Sequence, residues 1–154
     1  MKQYVIDTSI FVSYLRYRPI RTYLENEYAL FSSETDTLIS QVTIGELRAL
    51  ALEQKWGSNR RSILRALLQY VVVLDFTPPG LFDIYADLDA EAETKHPTRP
   101  RSGSSNTIGK DDLWIAATAV ATGSPLLTAD RDFLLFDSEF LPVHYIDRTL
   151  DVER

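Results

Sequence analysis

The sequence predicts an α/β fold: a single domain over residues 1–154, with a mostly parallel central sheet of about five strands flanked by helices on both faces. Three observations predict it. Short apolar runs alternate along the chain with segments of helical spacing, the pattern of strands joined by crossover helices. One run, Val71-Val72-Val73-Leu74, is β-branched and apolar throughout, which suits a buried parallel strand. The chain has 154 residues, 45% of them apolar and 25% charged, so it can bury one core and is not composed like a disordered segment. No internal repeat and no domain boundary is visible.

The elements follow in order. Tyr4-Val5-Ile6 reads as a first strand, ended by Asp7-Thr8-Ser9, residue types that cap a helix. The segment 10–17 has helical spacing, with Phe11, Tyr14 and Leu15 on one side. Pro19 breaks it, and a second helix is expected to reach about Tyr28. Thr37-Leu38-Ile39-Ser40 reads as the second strand. Leu47, Leu50 and Ala51 set a helix over about 43–56, stopped at Gly57. A helix over about 59–70 turns Ile63, Leu67 and Leu68 inward and Arg60, Arg61 and Arg65 outward. After the valine strand, Pro78-Pro79 opens a helix to about Glu93. Residues 95–110, from His96-Pro97 through Arg99, Arg101 and Lys110, are polar, turn-rich and locally basic, and read as a flexible loop. A helix over 111–122 ends at Gly123. A strand over 125–128, a short helix over 130–135 and a last strand over 143–146 complete the chain.

Composition removes several chemistries. There is no cysteine, so disulfides, zinc-thiolate sites, iron–sulfur clusters and thiol nucleophiles are all excluded. Two histidines, His96 and His144, are too few for a multi-histidine zinc site. Sixteen Lys and Arg against 22 Asp and Glu give a net charge of −6, so the chain lacks the overall basic footprint of a nucleic-acid binder. Met1-Lys2-Gln3 leads directly into the first strand, and no apolar run is long enough to span a bilayer; a cytoplasmic location without membrane association is expected. Carboxylates are left to carry demanding chemistry.

Four of them are expected at one edge. In a parallel sheet, sites form at the carboxyl ends of the strands. Asp7 directly follows the first strand, and Asp130 follows the fourth. Glu46 stands in the first turn of the helix after the second strand, and Asp112 in the first turn of the helix that returns to the fourth. Asp112 heads the stripe Ile115, Ala116, Ala119 and Val120, so it points toward the sheet. Each acid also has a purely structural reading. Asp7 and Asp130 suit helix N-caps, Thr43-Ile44-Gly45-Glu46 fits a capping box, and Asp111-Asp112 complements a helix dipole. Taken jointly, those readings require four coincidences at one edge. Converging carboxylates repel one another, and a bound cation removes that penalty; all-oxygen ligation suits Mg²⁺ or Mn²⁺.

These residues resemble the motifs of a known family. Tyr4-Val5-Ile6-Asp7-Thr8-Ser9 is similar to the opening of a PIN domain. Ile39-Ser40 through Thr43, Glu46 and Leu47 is similar to its second motif. The run from Lys110 to Ala119 resembles its third, and Leu127-Thr128-Ala129-Asp130-Arg131-Asp132-Phe133 its fourth. The match runs in order over most of the chain and is most similar to the VapC-type toxins of bacterial toxin–antitoxin pairs. The resemblance implies a metal-dependent ribonuclease in which Asp7, Glu46, Asp112 and Asp130 bind the metal and act in catalysis, with Thr8, Thr128 and Asp132 in the surrounding shell. It also implies a homodimer and a small antitoxin that blocks the site. The family's third motif commonly carries Asn where this chain has Asp111, so Asp111 and Asp112 are adjacent candidate ligands.

A cation held by these acids would activate a water for in-line attack on a phosphodiester and neutralise the charge that develops. Local basic groups would hold the RNA: Arg99, Arg101 and Lys110 on the loop, and Arg48, Arg60, Arg61 and Arg65 on helices, with a solvated surface as the structural reading of each. Single-stranded or looped RNA is expected, because a bare phosphodiester must reach the acids. A haloacid-dehalogenase-type phosphatase needs a second Asp where this chain has Ser9. A receiver domain needs adjacent acids near the first strand, and a dinucleotide fold needs a glycine-rich turn; neither is present. The remaining alternative is a catalytically silent PIN-like module that binds RNA or protein.

Overall fold

In a computed structural model, residues 2–93 and 108–149 of the chain are described. Their elements are β1 (Lys2–Ile6), α1 (Thr8–Arg16), α2 (Arg18–Tyr28), β2 (Thr35–Ser40), α3 (Gln41–Glu53), α4 (Ser58–Leu68), β3 (Val71–Leu74), α5 (Leu81–Ala92), α6 (Lys110–Thr122), β4 (Leu126–Thr128), a 3₁₀ helix (Arg131–Phe136) and β5 (Val143–Tyr145). The five strands form one parallel sheet in the order β3-β2-β1-β4-β5. The α/β reading and its five-stranded parallel sheet therefore hold.

Alternation along the strands builds two cores. Tyr4, Ile6, Ile39 and Leu127 face one side and pack with Ile10, Phe11, Leu24, Leu47 and Leu67 of α1 to α4. Val5, Leu38 and Leu126 face the other and pack with Leu88, Leu113, Ala116, Phe133 and Phe136. A side-chain period of two sends neighbouring residues to opposite faces, and both faces are covered. The strands are short, so this double burial, more than strand length, holds the sheet together.

Four local expectations change. The valine strand is not buried. Strand order leaves β3 at an edge, where Val72 and Val73 are 52% and 47% exposed. The third helix starts earlier than the apolar spacing indicates: Ser40 ends β2 and its hydroxyl accepts from the Val42 N–H as the N-cap, so Gln41 is already helical. Thr43 is then a buried residue inside α3, and the capping box with Glu46 does not form. Pro19, expected as a breaker, stands in the first turn of α2, where the missing N–H costs nothing. Of the loop expected over 95–110, residues 95–107 lie outside the described residues, Arg99 and Arg101 among them. Lys110 is the first residue of α6 rather than loop.

Arg61 also departs from a solvated helix face. It is half-buried, and its guanidinium donates to the carbonyls of Trp56 at 2.9 Å and Ala51 at 3.1 Å, closing the end of α3 onto α4. A charged donor to two such carbonyls is worth about 1.5–3 kcal/mol. Arg61→Ala is expected to lower the unfolding free energy by about that amount in a urea titration; an unchanged midpoint would contradict the clamp.

Candidate active site

The register of the sheet explains how the acids meet. Ile6 is paired with Leu127, so Asp7 and Thr128, each one residue further on, leave β1 and β4 side by side. The Asp7 N–H donates to the Leu127 carbonyl at 3.3 Å and continues the ladder to the strand ends. Asp7 is 3% exposed. Its Oδ1 accepts from the Ser9 hydroxyl at 2.6 Å and the Ile10 N–H at 3.3 Å, and its Oδ2 accepts from the Thr128 hydroxyl at 2.7 Å. Asp7 is thus both the N-cap of α1 and the most buried acid of the edge.

Burial pushes the Asp7 carboxyl up to about 6, against the lowering effect of the Ser9, Thr128 and Ile10 donors; the Asp130 charge adds to the rise. Desolvation exceeds hydrogen bonding because three donors do not replace a full hydration shell. Asp112, half-buried in the first turn of α6, is pushed up to about 7. Burial is the main cause, followed by the charges of Asp130, Asp7, Glu46 and Asp132. One side chain therefore feels the acids after β1, on α3 and after β4 together, although Asp7 and Asp130 are 123 positions apart in sequence.

Glu46 is half-buried on α3, and its Oε1 accepts from the Thr8 hydroxyl at 2.8 Å. Its pKa is raised by burial, lowered by Thr8 and raised again by the Asp111 charge. Asp130 is half-buried and caps the 3₁₀ helix, its Oδ1 accepting from the Asp132 N–H at 2.9 Å. Asp111 and Asp132 are exposed at the rim. The capping readings of Asp7 and Asp130 are correct and coexist with convergence at the edge.

The donor set is all oxygen, which suits a hard divalent cation. Among the described residues, no group of three or more Asp, Glu or His side chains is close-set enough to hold a metal ion as it stands. What the structure supplies is a shared field: buried and half-buried carboxylates that destabilise one another's charged forms, which a cation would relieve. On that ground the residues fit Mg²⁺ or Mn²⁺.

Arg48 is exposed and lines an apolar groove of about 400 Å³ between α3 and α4, floored by Leu47, Ala51 and Leu64, with Arg65 also on its lining. Lys110 is exposed and pairs with Asp89 of α5 at 2.9 Å. The Arg60 guanidinium carbon lies over the Trp56 ring, 5.5 Å from its centroid. Sequence reasoning missed Ser9 as part of the site. The available signal was the Asp-x-Ser spacing after the first strand, since a hydroxyl two residues on can turn back to the carboxylate.

A PIN domain family model matches residues 4–138. Ribonuclease VapC4 of Mycobacterium tuberculosis is 33% identical over 95 residues, 62% of this chain and 67% of its own length. Ribonuclease VapC2 of Rickettsia felis is 28% identical over 125 residues, 81% of this chain and 84% of its own. Among solved structures, VapBC2 from Rickettsia felis bound to a DNA fragment from its promoter has a chain that superposes with a TM-score of 0.73 at 24% identity, over 94% of this chain and 99% of that one. With its sheet, its motif order and these matches in agreement, the chain belongs to the PIN domain family.

Proposed function

We propose that this protein is an endoribonuclease dependent on Mg²⁺ or Mn²⁺, and that it is the toxin of a toxin–antitoxin pair. The observation that carries the reading is the shared field of Asp7, Glu46, Asp112 and Asp130 at the carboxyl edge of the sheet, with Asp7 and Asp112 held well above the usual carboxylate range. The ribonuclease names of the VapC relatives support the reaction class. The presence of all four acids sets this reading above a catalytically silent module.

In this reading the four acids hold the cation, with Asp111, Asp132, Thr8 and Thr128 around them. Bound there, the ion supplies positive charge to the phosphodiester and lowers the pKa of a water. The chain's own work is orientation and proton control. Thr8 fixes the Glu46 carboxylate, while Ser9 and Thr128 fix Asp7. Asp112, whose carboxyl is pushed up to about 7, would give up its remaining proton on holding a cation. The substrate is RNA with an accessible backbone, single-stranded or in a loop.

The same reading includes a small antitoxin, a homodimer and action in the cytoplasm. The likeness to VapBC-5 from Mycobacterium tuberculosis, a member of the VapBC family of toxin–antitoxin systems, supports the antitoxin. The arginine-rimmed groove between α3 and α4 is a surface suited to an apolar segment bearing acids. No helix among the described residues is long and apolar enough to cross a membrane.

The test is cleavage of structured RNAs by purified protein with Mg²⁺ or Mn²⁺, repeated with excess EDTA. Cleavage is expected with either metal, and its loss is expected on chelation. Cleavage that persists unchanged in EDTA would refute the metal-dependent reading.

A further inference from the structure

Asp7 is held by two hydroxyls whose direction is dictated by backbone. The Ser9 Oγ accepts from the Ala129 N–H at 2.8 Å, and the Thr128 Oγ1 accepts from the Asp130 N–H at 2.9 Å. Each hydroxyl has one hydrogen to give. With an amide donating into each oxygen, that hydrogen is turned outward, and both go to Asp7. The two hydroxyls lie 3.4 Å apart, so they sit side by side beneath one carboxylate.

The lone pairs of Asp7 are then unequally used. A carboxylate oxygen offers two good acceptor directions. Among the described residues, Oδ1 accepts twice, from Ser9 and from the Ile10 N–H, whereas Oδ2 accepts only from Thr128. The direction left open is on Oδ2. Ser9 also joins the chain just after β1 to the chain just after β4, because its partner amide belongs to Ala129, next to Asp130. It therefore fixes both the rotation of the Asp7 carboxylate and the position of Asp7 relative to Asp130.

We propose that Ser9 is a positioning residue of the metal site: by filling Oδ1 and bridging to Ala129, it presents Asp7 to the cation through Oδ2 alone and keeps Asp7 in register with Asp130. The inference rests on the nuclease reading and deepens it by assigning a role to a residue outside the carboxylate set. Ser9 touches neither cation nor substrate in this arrangement and acts through Asp7.

Calorimetric titration of Mn²⁺ into the full chain without RNA tests it, together with thermal melting in EDTA. Groups that hydrogen-bond to metal ligands typically change affinity by about 10–100-fold when removed. Ser9→Ala is expected to weaken Mn²⁺ binding by roughly that factor, and Ser9→Thr, which retains the hydroxyl, is expected to restore it to near the wild-type value. A purely structural role would lower the melting temperature in EDTA and leave the affinity of the folded fraction unchanged. If Ser9→Ala does not fold, Ser9→Cys decides, since it keeps the size and weakens the donor. Wild-type Mn²⁺ affinity in Ser9→Ala, or in Ser9→Cys where that variant decides, overturns the proposal. A wild-type chain that takes up no Mn²⁺ overturns the nuclease reading and this one together, which distinguishes the two failures.

Discussion

Asp112→Asn is expected to slow RNA cleavage by roughly 100-fold while making the metal-free protein more stable at pH 8. Both effects come from one cause. Asp112 is half-buried and surrounded by the charges of Asp130, Asp7, Glu46 and Asp132, and its carboxyl is pushed up to about 7. At pH 8 it is ionised against that field, at a cost that no cation offsets in EDTA. The amide has nearly the same shape and no charge, so the cost vanishes. The same change removes the ligand charge on which the proposed metal site depends. Loss of an interaction worth about 3 kcal/mol in the transition state lowers a rate by roughly 100-fold. Melting in EDTA at pH 8 and cleavage under single-turnover conditions are the two measurements. A variant that is less stable in EDTA would show that the burial of Asp112 is offset by contacts the amide cannot make. A variant that cleaves at the wild-type rate would remove Asp112 from the site. Exposed Asp132 is a useful comparison: its substitution by Asn removes a charge at the rim and is expected to change both measurements far less.

Why the acids were legible and other features were not is a matter of range. Asp7 and Asp130 follow apolar runs, and Asp112 heads an apolar helical stripe, so local sequence alone placed them at strand and helix ends. A parallel sheet then brings those ends to one edge. Glu46 lies in the helix that the spacing predicts but not in its first turn, because that helix already begins at Gln41. Thr43-x-x-Glu46 has the form of a capping box, but Ser40 ends β2 three residues earlier and takes the cap itself. This frees Glu46 for Thr8, a partner 38 positions away that no local pattern indicates. Val72 and Val73 have the composition of a buried strand, and only the order of strands, a tertiary property, puts them at an edge. Arg61 lies at a position that looks solvated in sequence, yet two carbonyls at the end of α3 capture it. Ser9 depends on the Ala129 amide, 120 residues on. Apart from the edge valines, the missed features involve a polar group whose partner is supplied by another element.

The stabilising effect of Mn²⁺ is expected to grow steeply with pH. In the absence of metal, the folded Asp7 carboxyl titrates at about 6 and its unfolded counterpart at 3.8. Between these values the folded chain binds more protons than the unfolded chain, so stability falls as pH rises. The penalty is absent below the unfolded value and complete above about 6. The interval from 3.8 to about 6 corresponds to roughly 3 kcal/mol for this buried group. Asp112 extends the same trend to about pH 7, with a smaller contribution because it is partly in contact with solvent. Raising the pH from 5 to 8 in EDTA is therefore expected to lower the melting temperature. A cation reverses the sign, because it requires the charged forms that burial disfavours, and its binding releases protons. At pH 5 protons compete for the same oxygens, and Mn²⁺ is expected to shift the melting temperature little. At pH 8, with metal at about 100 times its dissociation constant, the stabilisation approaches about 2.7 kcal/mol. For a chain of this size that is roughly 5–10 °C. Asp112→Asn is expected to shrink this metal shift and to flatten the EDTA profile between pH 6 and 8. An equal Mn²⁺ shift at pH 5 and pH 8 would place the metal on groups that do not titrate in this range, away from Asp7 and Asp112.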